Sequence, residues 1–495
     1  MGPQGHAHQR FASSVDPTGS FLFGYDTGII TTSIAHTSFK KYMNHPNAVL
    51  TGAIVSTYVA GEAVGAILQM LLGDVLGRKR FMQLLCIVVT AGTVIQTAAQ
   101  NYAMFLTGRI LTGIAVGGLV ATVPIYNSEI SPPASRGFIG GLSGYMIGIG
   151  GFLANWIGYA CSYISDSDNA QWRVPLSLQI PPGVILFIGL CFFLPDSPRW
   201  LITKGRDDEA LVAFTSVRRD LSGDALLEEF DLIKAQIHHE MATEVKSIGE
   251  AWHKYKRRVI IAVAVQTMTS ASGVNVINYY QTILYTQLGQ TGKSILLLAG
   301  IYGTVGVVIN FLSINLVDRF GRVKLLYGAS AGLCLDLIYA AVMSQIYAHS
   351  ENKVGKGFAI LGVYMFTAIY CTRGLLISTD LGINSTTWLY GVEILPIALR
   401  SKVTGLAALS HFIVNIALTQ AATTAFANIG TNYYYVFVGT TGLSAVCVYF
   451  FFPETKGKSL EAIAASFGDT LVIDDLAASE DKKLGDEERM EVRSH

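Results

Sequence analysis

The chain has 495 residues, of which 51% are hydrophobic and only 14% charged, with a mean hydropathy of +0.43. Soluble domains carry about 25% charged residues, so the composition excludes an ordinary soluble protein. The 35 basic residues balance 35 acidic ones, which excludes the basic field of a nucleic-acid binder.

Residues 1–18 are polar and lack the basic patch, apolar run and cleavage site of a removable signal peptide, so they read as a cytoplasmic N-terminus. Beyond them the apolar residues gather into runs close to the ~20 residues that cross a bilayer as a helix. Six fall near 19–35, 50–72, 81–99, 103–127, 138–160 and 174–194. After a polar link over 195–258, six more fall near 259–285, 295–317, 324–347, 357–392, 402–425 and 433–452. The fold class is therefore an all-α membrane protein of twelve transmembrane helices, with halves at 19–194 and 259–452 and both termini on one side. The connection GDVLGRKR (73–80) and the link, with eleven Lys or Arg, carry the basic excess, whereas 161–171 holds two Asp and no base. Cytoplasmic loops hold the excess Lys and Arg, so the link, the N-terminus and the tail (453–495) are placed in the cytoplasm. Lys40, Lys41, Lys353 and Lys356 run against that assignment. Within the link, 206–219 and 224–241 have helical periodicity with charged faces and predict short surface helices. From Leu471 the tail is highly charged and predicts disorder. Its Lys482 and Lys483 read as solvated charge or as ubiquitin acceptors. The six cysteines stand singly, without metal or disulfide spacing. Asn384-Ser-Thr matches a glycosylation sequon but falls inside the tenth segment.

The two halves repeat each other. Asp74-Val-Leu-Gly-Arg78 returns as Asp318-Arg-Phe-Gly-Arg322, EISPPASR (129–136) as EILPIALR (393–400), and Pro195-Asp-Ser as Pro453-Glu-Thr. Matches in the same order argue for duplication, a known transporter design with the solute held between the halves. Asp74, Arg78, Glu129, Arg136, Asp318, Arg322, Glu393 and Arg400 thus stand at cytoplasmic helix ends, where acids and bases pair and cap helix dipoles. Two roles suit them: a latch that holds the halves shut inside, or anchors for the helix ends. The glycines of 117–118 and 148–151 sit within membrane segments, where small residues permit close packing. No strand precedes them, as a dinucleotide site would require, so an enzyme is not expected.

The motifs FGYDTGII (23–30), GDVLGRKR (73–80), GRILTGIAVG (108–117), PIYNSEISPPASRG (124–137), PDSPRWL (195–201), GVNVINYY (273–280), DRFGR (318–322), TWLYGVEILPIALR (387–400) and PETKGKSLEAI (453–463) resemble the sugar porter family of the major facilitator superfamily, particularly its fungal members. The resemblance covers almost the whole chain. It implies two six-helix bundles, a cytoplasmic helical link, alternating access, no cofactor, and a small-molecule solute, protons and the lipid bilayer as partners, at the plasma membrane.

Asp26 lies inside segment 1 and Arg109 inside segment 4. Charged groups at such depth are costly unless paired, and functional by default. In proton-coupled members of the family an Asp and an Arg at these places pair and separate, which makes Asp26 the proton carrier; a static ion pair is the alternative. Glu62, after Gly61 in segment 2, faces either the cavity or a neighbouring helix. For the solute, the resemblance assigns Asn275 and Tyr279 in segment 7 and Trp388 in segment 10, with Tyr280 and Asn415 as further liners. Elsewhere the family's amides are replaced. Its paired Gln falls on Thr269 and Ser270, its segment-5 Gln on Gly144, its segment-8 Asn near Gly306 and its segment-11 Asn on His411. A site that loses such hydrogen-bonding partners loses discrimination, which points to a larger or less hydroxylated solute. His411 reads as a pH sensor, a ligand for an acid, or a packed core histidine. The leading function is a proton-coupled carrier of a sugar or related polar solute. A secondary-metabolite exporter and a non-transporting nutrient sensor stand as alternatives.

Two stretches break the pattern. The residues before Gly19, RFASSVDPT, replace the apolar start that segment 1 has in the family. TRGLLISTD (372–380) places Arg373 and Asp380 in segment 10, where central charges cost about 2.5–3.5 kcal/mol each on insertion scales. Joining Cys371 to Leu381 gives AIYCLGINSTTWLYGVEILP, which fits the family. An altered first exon and a retained intron are the expected causes. Sequencing the transcript is expected to show both; a message that encodes both stretches removes the explanation.

Overall fold

The computed structural model describes residues 17–131, 136–218, 223–242, 248–313, 322–348, 350–371, 384–395, 397–453 and 467; the side chains of 136–141, 248–254 and several single positions lie outside that description. Among the described residues every regular element is helical. The first half comprises α1 (Pro17–Ser33), a short α2 (Thr37–Tyr42), α3 (Ala48–Leu76), α4 (Arg78–Thr97), α5 (Tyr102–Ile130), α6 (Arg136–Cys161), and a sixth span divided into α7 (Ala170–Ser177) and α8 (Ile180–Phe192). The link contributes α9 (Pro198–Thr203), α10 (Asp207–Val217) and α11 (Asp224–Ala242). The second half comprises α12 (Ile248–Ala271), α13 (Val274–Gln287), α14 (Lys293–Ser313), α15 (Arg322–Tyr347), α16 (Lys353–Cys371), α17 (Asn384–Glu393), α18 (Ile397–Asn428) and α19 (Tyr434–Phe451). Ten described spans are long and apolar enough to cross a membrane; α1, with 17 residues, and α6 complete the twelve. Residues 1–16 and 372–380, Asp318, Lys482 and Lys483 lie outside the described residues, as do the side chains of Arg136, Arg322, Asn384 and Glu393.

Burial is arranged for lipid. Phe192 (76% exposed), Leu335, Leu443 and Phe450 point outward, while Asp26, Glu62, Gln96, Arg109 and Asn275 are buried. Helix ends are satisfied locally: the side chains of Asn47 and Asn101 accept from the amides of Leu50 and Met104 at the starts of α3 and α5. The expected link helices are present as α10 and α11, and they pack with α9 around Trp200, Phe214 and Phe230.

Two interruptions matter for function. Pro181 and Pro182 open α8; a proline inside a helix removes an amide donor and clashes with the carbonyl four residues earlier, so the span breaks at Leu178–Gln179. Gly273 divides α12 from α13 at φ +82, a backbone that L side chains rarely adopt; a Cβ there would also meet the Phe437 ring at 2.5 Å.

Glycines bring α3 and α5 together. A methyl on Gly61 or Gly65 would collide with the carbonyls of Ile110 and Ile114, and one on Gly113 or Gly117 with those of Tyr58 and Glu62. Between the halves, Gln69 donates to Ser401 (2.8 Å), Ser56 to Gln420 (2.6 Å), Thr31 to the carbonyl of Asn278 (3.0 Å) and Trp156 to Thr304 (2.9 Å). None of the described ion pairs crosses between the halves.

Replacing Gly113 with Val should therefore destabilise the first half by about 1–3 kcal/mol, the usual cost of overpacking. A thermal ramp of the detergent-solubilised protein, followed by size-exclusion recovery, checks it; an unchanged melting point would contradict the close approach.

Candidate transport site

Asp26 and Arg109 meet in the first half. Arg109 Nη1 donates to Asp26 Oδ1 at 2.8 Å, with both side chains essentially inaccessible. The break between α7 and α8 turns Gln179 inward, where its Nε2 donates to the same Asp26 oxygen at 2.7 Å. Gln179 Oε1 in turn accepts from Gln96 Nε2 (2.6 Å) and from Thr93 Oγ1 (3.3 Å). The Arg109 guanidinium lies over the Tyr58 ring at 4.2 Å, a cation–π contact that desolvation strengthens. Five helices thus hold one ion pair. Gln96 and Gln179 went unread in the sequence; the double proline after Gln179 was the available signal.

A cavity of about 110 Å³ reaches Thr27, the residue after Asp26, although neither Asp26 nor Arg109 lines it. It is lined from both halves: Thr27, Gly28 and Asn155 on one side, and Thr269, Asn275, Asn278, Gln281, Tyr302, Asn310, Trp388 and His411 on the other. Of the expected solute residues, Asn275, Trp388, His411 and Thr269 line it. Tyr279, Tyr280, Asn415 and Ser270 do not. Tyr279 is buried beside Thr27 and the charged group, and Tyr280 donates to the carbonyl of Thr419 at 3.0 Å. Asn415 and Ser270 are buried, with Asn415 Oδ1 and Ser270 Oγ lacking hydrogen-bond partners in the structure.

The expectation of an amide-poor site is corrected here. Asn155, Asn278, Gln281 and Asn310 line the cavity at positions other than those the family pattern names. Asn310 lies one turn from Gly306, to whose carbonyl it donates at 3.0 Å, so the helical period brings an amide to the same wall. Asn155 Oδ1 is buried without a hydrogen-bond partner in the structure, free for a ligand donor. His411 Nδ1 faces the carbonyl of Gln266 at 3.1 Å and so carries the hydrogen; Nε2 then accepts from Asn275 Nδ2 at 3.4 Å. That geometry describes a neutral ring. Among the described lining residues there is no Arg or Lys.

A second cavity of about 290 Å³, lined by Ile34, Phe39, Lys40, Thr282 and Leu296, sits between the far ends of α1 and α13. The Thr31–Asn278 contact stands between the two spaces.

Among the described side chains of the acid–base set, Arg78, Asp74 and Glu129 pair within one half. Arg78, the first residue of α4, reaches back to Asp74 (2.7 Å) and across to Glu129 at the end of α5 (2.9 Å). Gly77, at φ +84, makes that turn beneath the Trp200 indole, whose Nε1 donates to the Asp74 carbonyl at 2.9 Å. Both ion-pair partners of Arg78 lie in its own half. In the other half Arg400 is buried and donates to the Leu395 carbonyl at 3.2 Å. The duplication shows in a pair that sequence reading missed. Tyr126 donates to the carbonyl of Pro195 at 2.8 Å, and Tyr390 to that of Pro453 at 2.9 Å.

A twelve-helix frame with a cavity shared between two repeated halves defines a membrane transporter of the major facilitator fold. The proton:xylose symporter XylE bound to 6-bromo-6-deoxy-D-glucose superposes at a TM-score of 0.81, with 21% identity over 93% of this chain and 99% of that one. Its inward-open conformation in E. coli XylE gives only 0.68. The family model "Sugar (and other) transporter" matches residues 13–467, and the chain belongs to that family. Relatives include the MFS-type transporter criB of Aspergillus cristatus, 37% identical over 91% of both chains. The high-affinity glucose transporter of Kluyveromyces lactis is 28% identical over 91% of this chain and 83% of its own. A probable quinate permease of Aspergillus flavus is 31% identical over 90% and 86%.

Replacing Gln179 with Leu removes a hydrogen bond to an ionised acid, a loss of about 1.5–3 kcal/mol. Glu at the same place sets an acid against Asp26 and should cost more. Melting points at neutral pH are expected in the order wild type, Gln179→Leu, Gln179→Glu; equal values would separate Gln179 from the pair.

Proposed function

We propose that this protein carries a neutral, monocyclic, polyhydroxylated solute, a sugar or ring polyol, by alternating access coupled to protons. The observation that carries the reading is the cavity between the halves, with its amides and Trp388, beside the buried Asp26–Arg109 pair. Amides hydrogen-bond hydroxyls, and an indole covers the apolar face of a ring. A cavity of about 110 Å³ favours a small solute over a large one. Glucose and quinate, named for two relatives, are both hydroxylated rings. The lack of a lysine or arginine in the described lining, and a His411 bonded as a neutral ring, favour the uncharged solute. The exporter reading drew support from missing amides, and loses it with Asn155, Asn278, Gln281 and Asn310 in place.

In the proposed cycle Asp26 takes a proton, releases Arg109, and lets the first half move against the second. The contacts that part are uncharged: Thr31–Asn278 on one side of the cavity, Gln69–Ser401 on the other. The set Asp74, Arg78 and Glu129 keeps each cytoplasmic helix end in place while the half moves as a body. The plasma membrane, with both termini, the 195–258 link and the 453–495 tail in the cytoplasm, is the setting we assign.

The test is uptake in yeast stripped of its own sugar carriers, using the chain as written and a version lacking Thr372 to Asp380, with external pH recorded. Uptake of hexose, pentose or cyclic polyol with alkalinisation is expected, and quinate should be taken up poorly. Trp388→Ala should raise KM roughly 2- to 10-fold, the worth of about 0.5–1.5 kcal/mol of ring contact. Asp26→Asn should keep exchange but lose proton movement. No uptake of any neutral ring by a surface-delivered protein would overturn the assignment.

A further inference from the structure

A second carboxylate lies in the charged core of the first half. Glu62, on α3 one turn beyond Tyr58, is 1% exposed; the Tyr58 hydroxyl interacts with its carboxylate but too loosely for a hydrogen bond, and neither oxygen has another partner in the structure. The coupling pair proposed above does not use it. Its electrostatic neighbours are Asp26 of α1, Arg109 of α5 and Tyr58 of its own helix, with Tyr279 of α13 facing it from the second half. Other elements against α3 hold their charges elsewhere. On α4, Arg78 is bound to Asp74 and Glu129, Lys79 and Arg80 stand in the same first turn, and Cys86 is a buried thiol. On α18, Arg400 donates to Leu395, His411 is held by Gln266 and Asn275, and Lys402 stands near the helix start.

Counting charge in this enclosure gives one guanidinium against two carboxylates. An uncompensated carboxylate away from water is expensive, and such a group takes a proton instead. Asp26 accepts from Arg109 at 2.8 Å and from the Gln179 amide at 2.7 Å, the arrangement of an ionised acid. The proton therefore belongs to Glu62. Arg109 still has Nε and Nη2 without hydrogen-bond partners in the structure, so its donors suffice for either acid. The glycine packing of α3 on α5, which sets Gly117 against the Glu62 backbone, keeps the second acid within the same enclosure.

We propose that Glu62 is the second proton-carrying group of this site: it holds a proton while Asp26 is paired with Arg109, and it takes Arg109 over when Asp26 is protonated. In the exchange an entering proton forms an O–H bond on Asp26, the Arg109 N–H groups turn their hydrogen bonds from Asp26 to Glu62, and the Glu62 O–H bond breaks as that proton leaves by the opposite face. The enclosure holds one proton and no net charge before and after, so Arg109 never stands unpaired in the membrane. The exchange rests on the coupling role assigned to Asp26; the resident proton does not.

Infrared difference spectra of the purified full chain in lipid nanodiscs at neutral pH test it without transport. Wild type minus Glu62→Gln should show the carbonyl band of a protonated carboxyl, shifted by deuterium. Glu62→Asp should move that band rather than remove it, which covers the case of an unfolded Gln variant. Asp26→Asn should also abolish the Glu62 band, because Glu62 then ionises to pair with Arg109; a purely structural Glu62 would not respond. Asp336 on α15, another buried acid whose oxygens lack hydrogen-bond partners, contributes a band that cancels in each difference. Ionised-carboxylate bands in wild type minus Glu62→Gln would overturn the resident proton. A Glu62 band that survives Asp26→Asn would overturn the exchange. If the wild type moves no protons in the uptake assay, the coupling reading fails while the spectra still decide the protonation of Glu62.

Discussion

The bilayer supplies no hydrogen bonds, so every polar group inside the twelve helices must find its partner in protein. The Asp26–Arg109 pair is the most demanding case, and much of the first half is arranged around it. Gln179 is available because two prolines break the sixth span. Gln96 holds Gln179, Tyr58 covers the guanidinium, and glycines on α3 and α5 let the backbones approach closely enough for these groups to meet. Loss of any of these supports exposes a buried charge, so local sequence choices on five helices are coupled through one contact.

Duplication places the same solution at the corresponding ends of the two halves. The repeated E-I-x-P-x-A-x-R and Pro-acid-hydroxyl sequences bring a tyrosine three residues before each glutamate onto the carbonyl of the corresponding proline. Pairing Arg78 with Asp74 and Glu129 stiffens the helix ends of one half. The described hydrogen bonds between the halves are uncharged and few. That division suits a body that must rock: strong, charge-assisted contacts within the first half, weaker ones where the halves must separate.

Much of the fold was legible in the sequence. Apolar runs near the bilayer length and the ordered repeat require only composition and spacing, which are local properties. The link helices followed from periodicity in the same way. Asp26 and Arg109 were legible because a charge within an apolar run is conspicuous. Asn275 and Trp388 stood out through motifs.

The partners of those residues were decided only in three dimensions. Gln96 and Gln179 are unremarkable in sequence, since a glutamine inside a segment does not disclose what it faces. Asn278, Gln281 and Asn310 came into the cavity because helical rotation, not chain position, decides which side chain meets a wall. The same rotation took Tyr280 and Asn415 off it. Whether Arg78 bridges the halves or braces one of them depends on where its guanidinium points after Gly77 turns the chain. Sequence thus determined which groups must be buried and roughly at what depth, because lipid length and charge cost act on each segment alone; only the packing of helices decided which buried group compensates which.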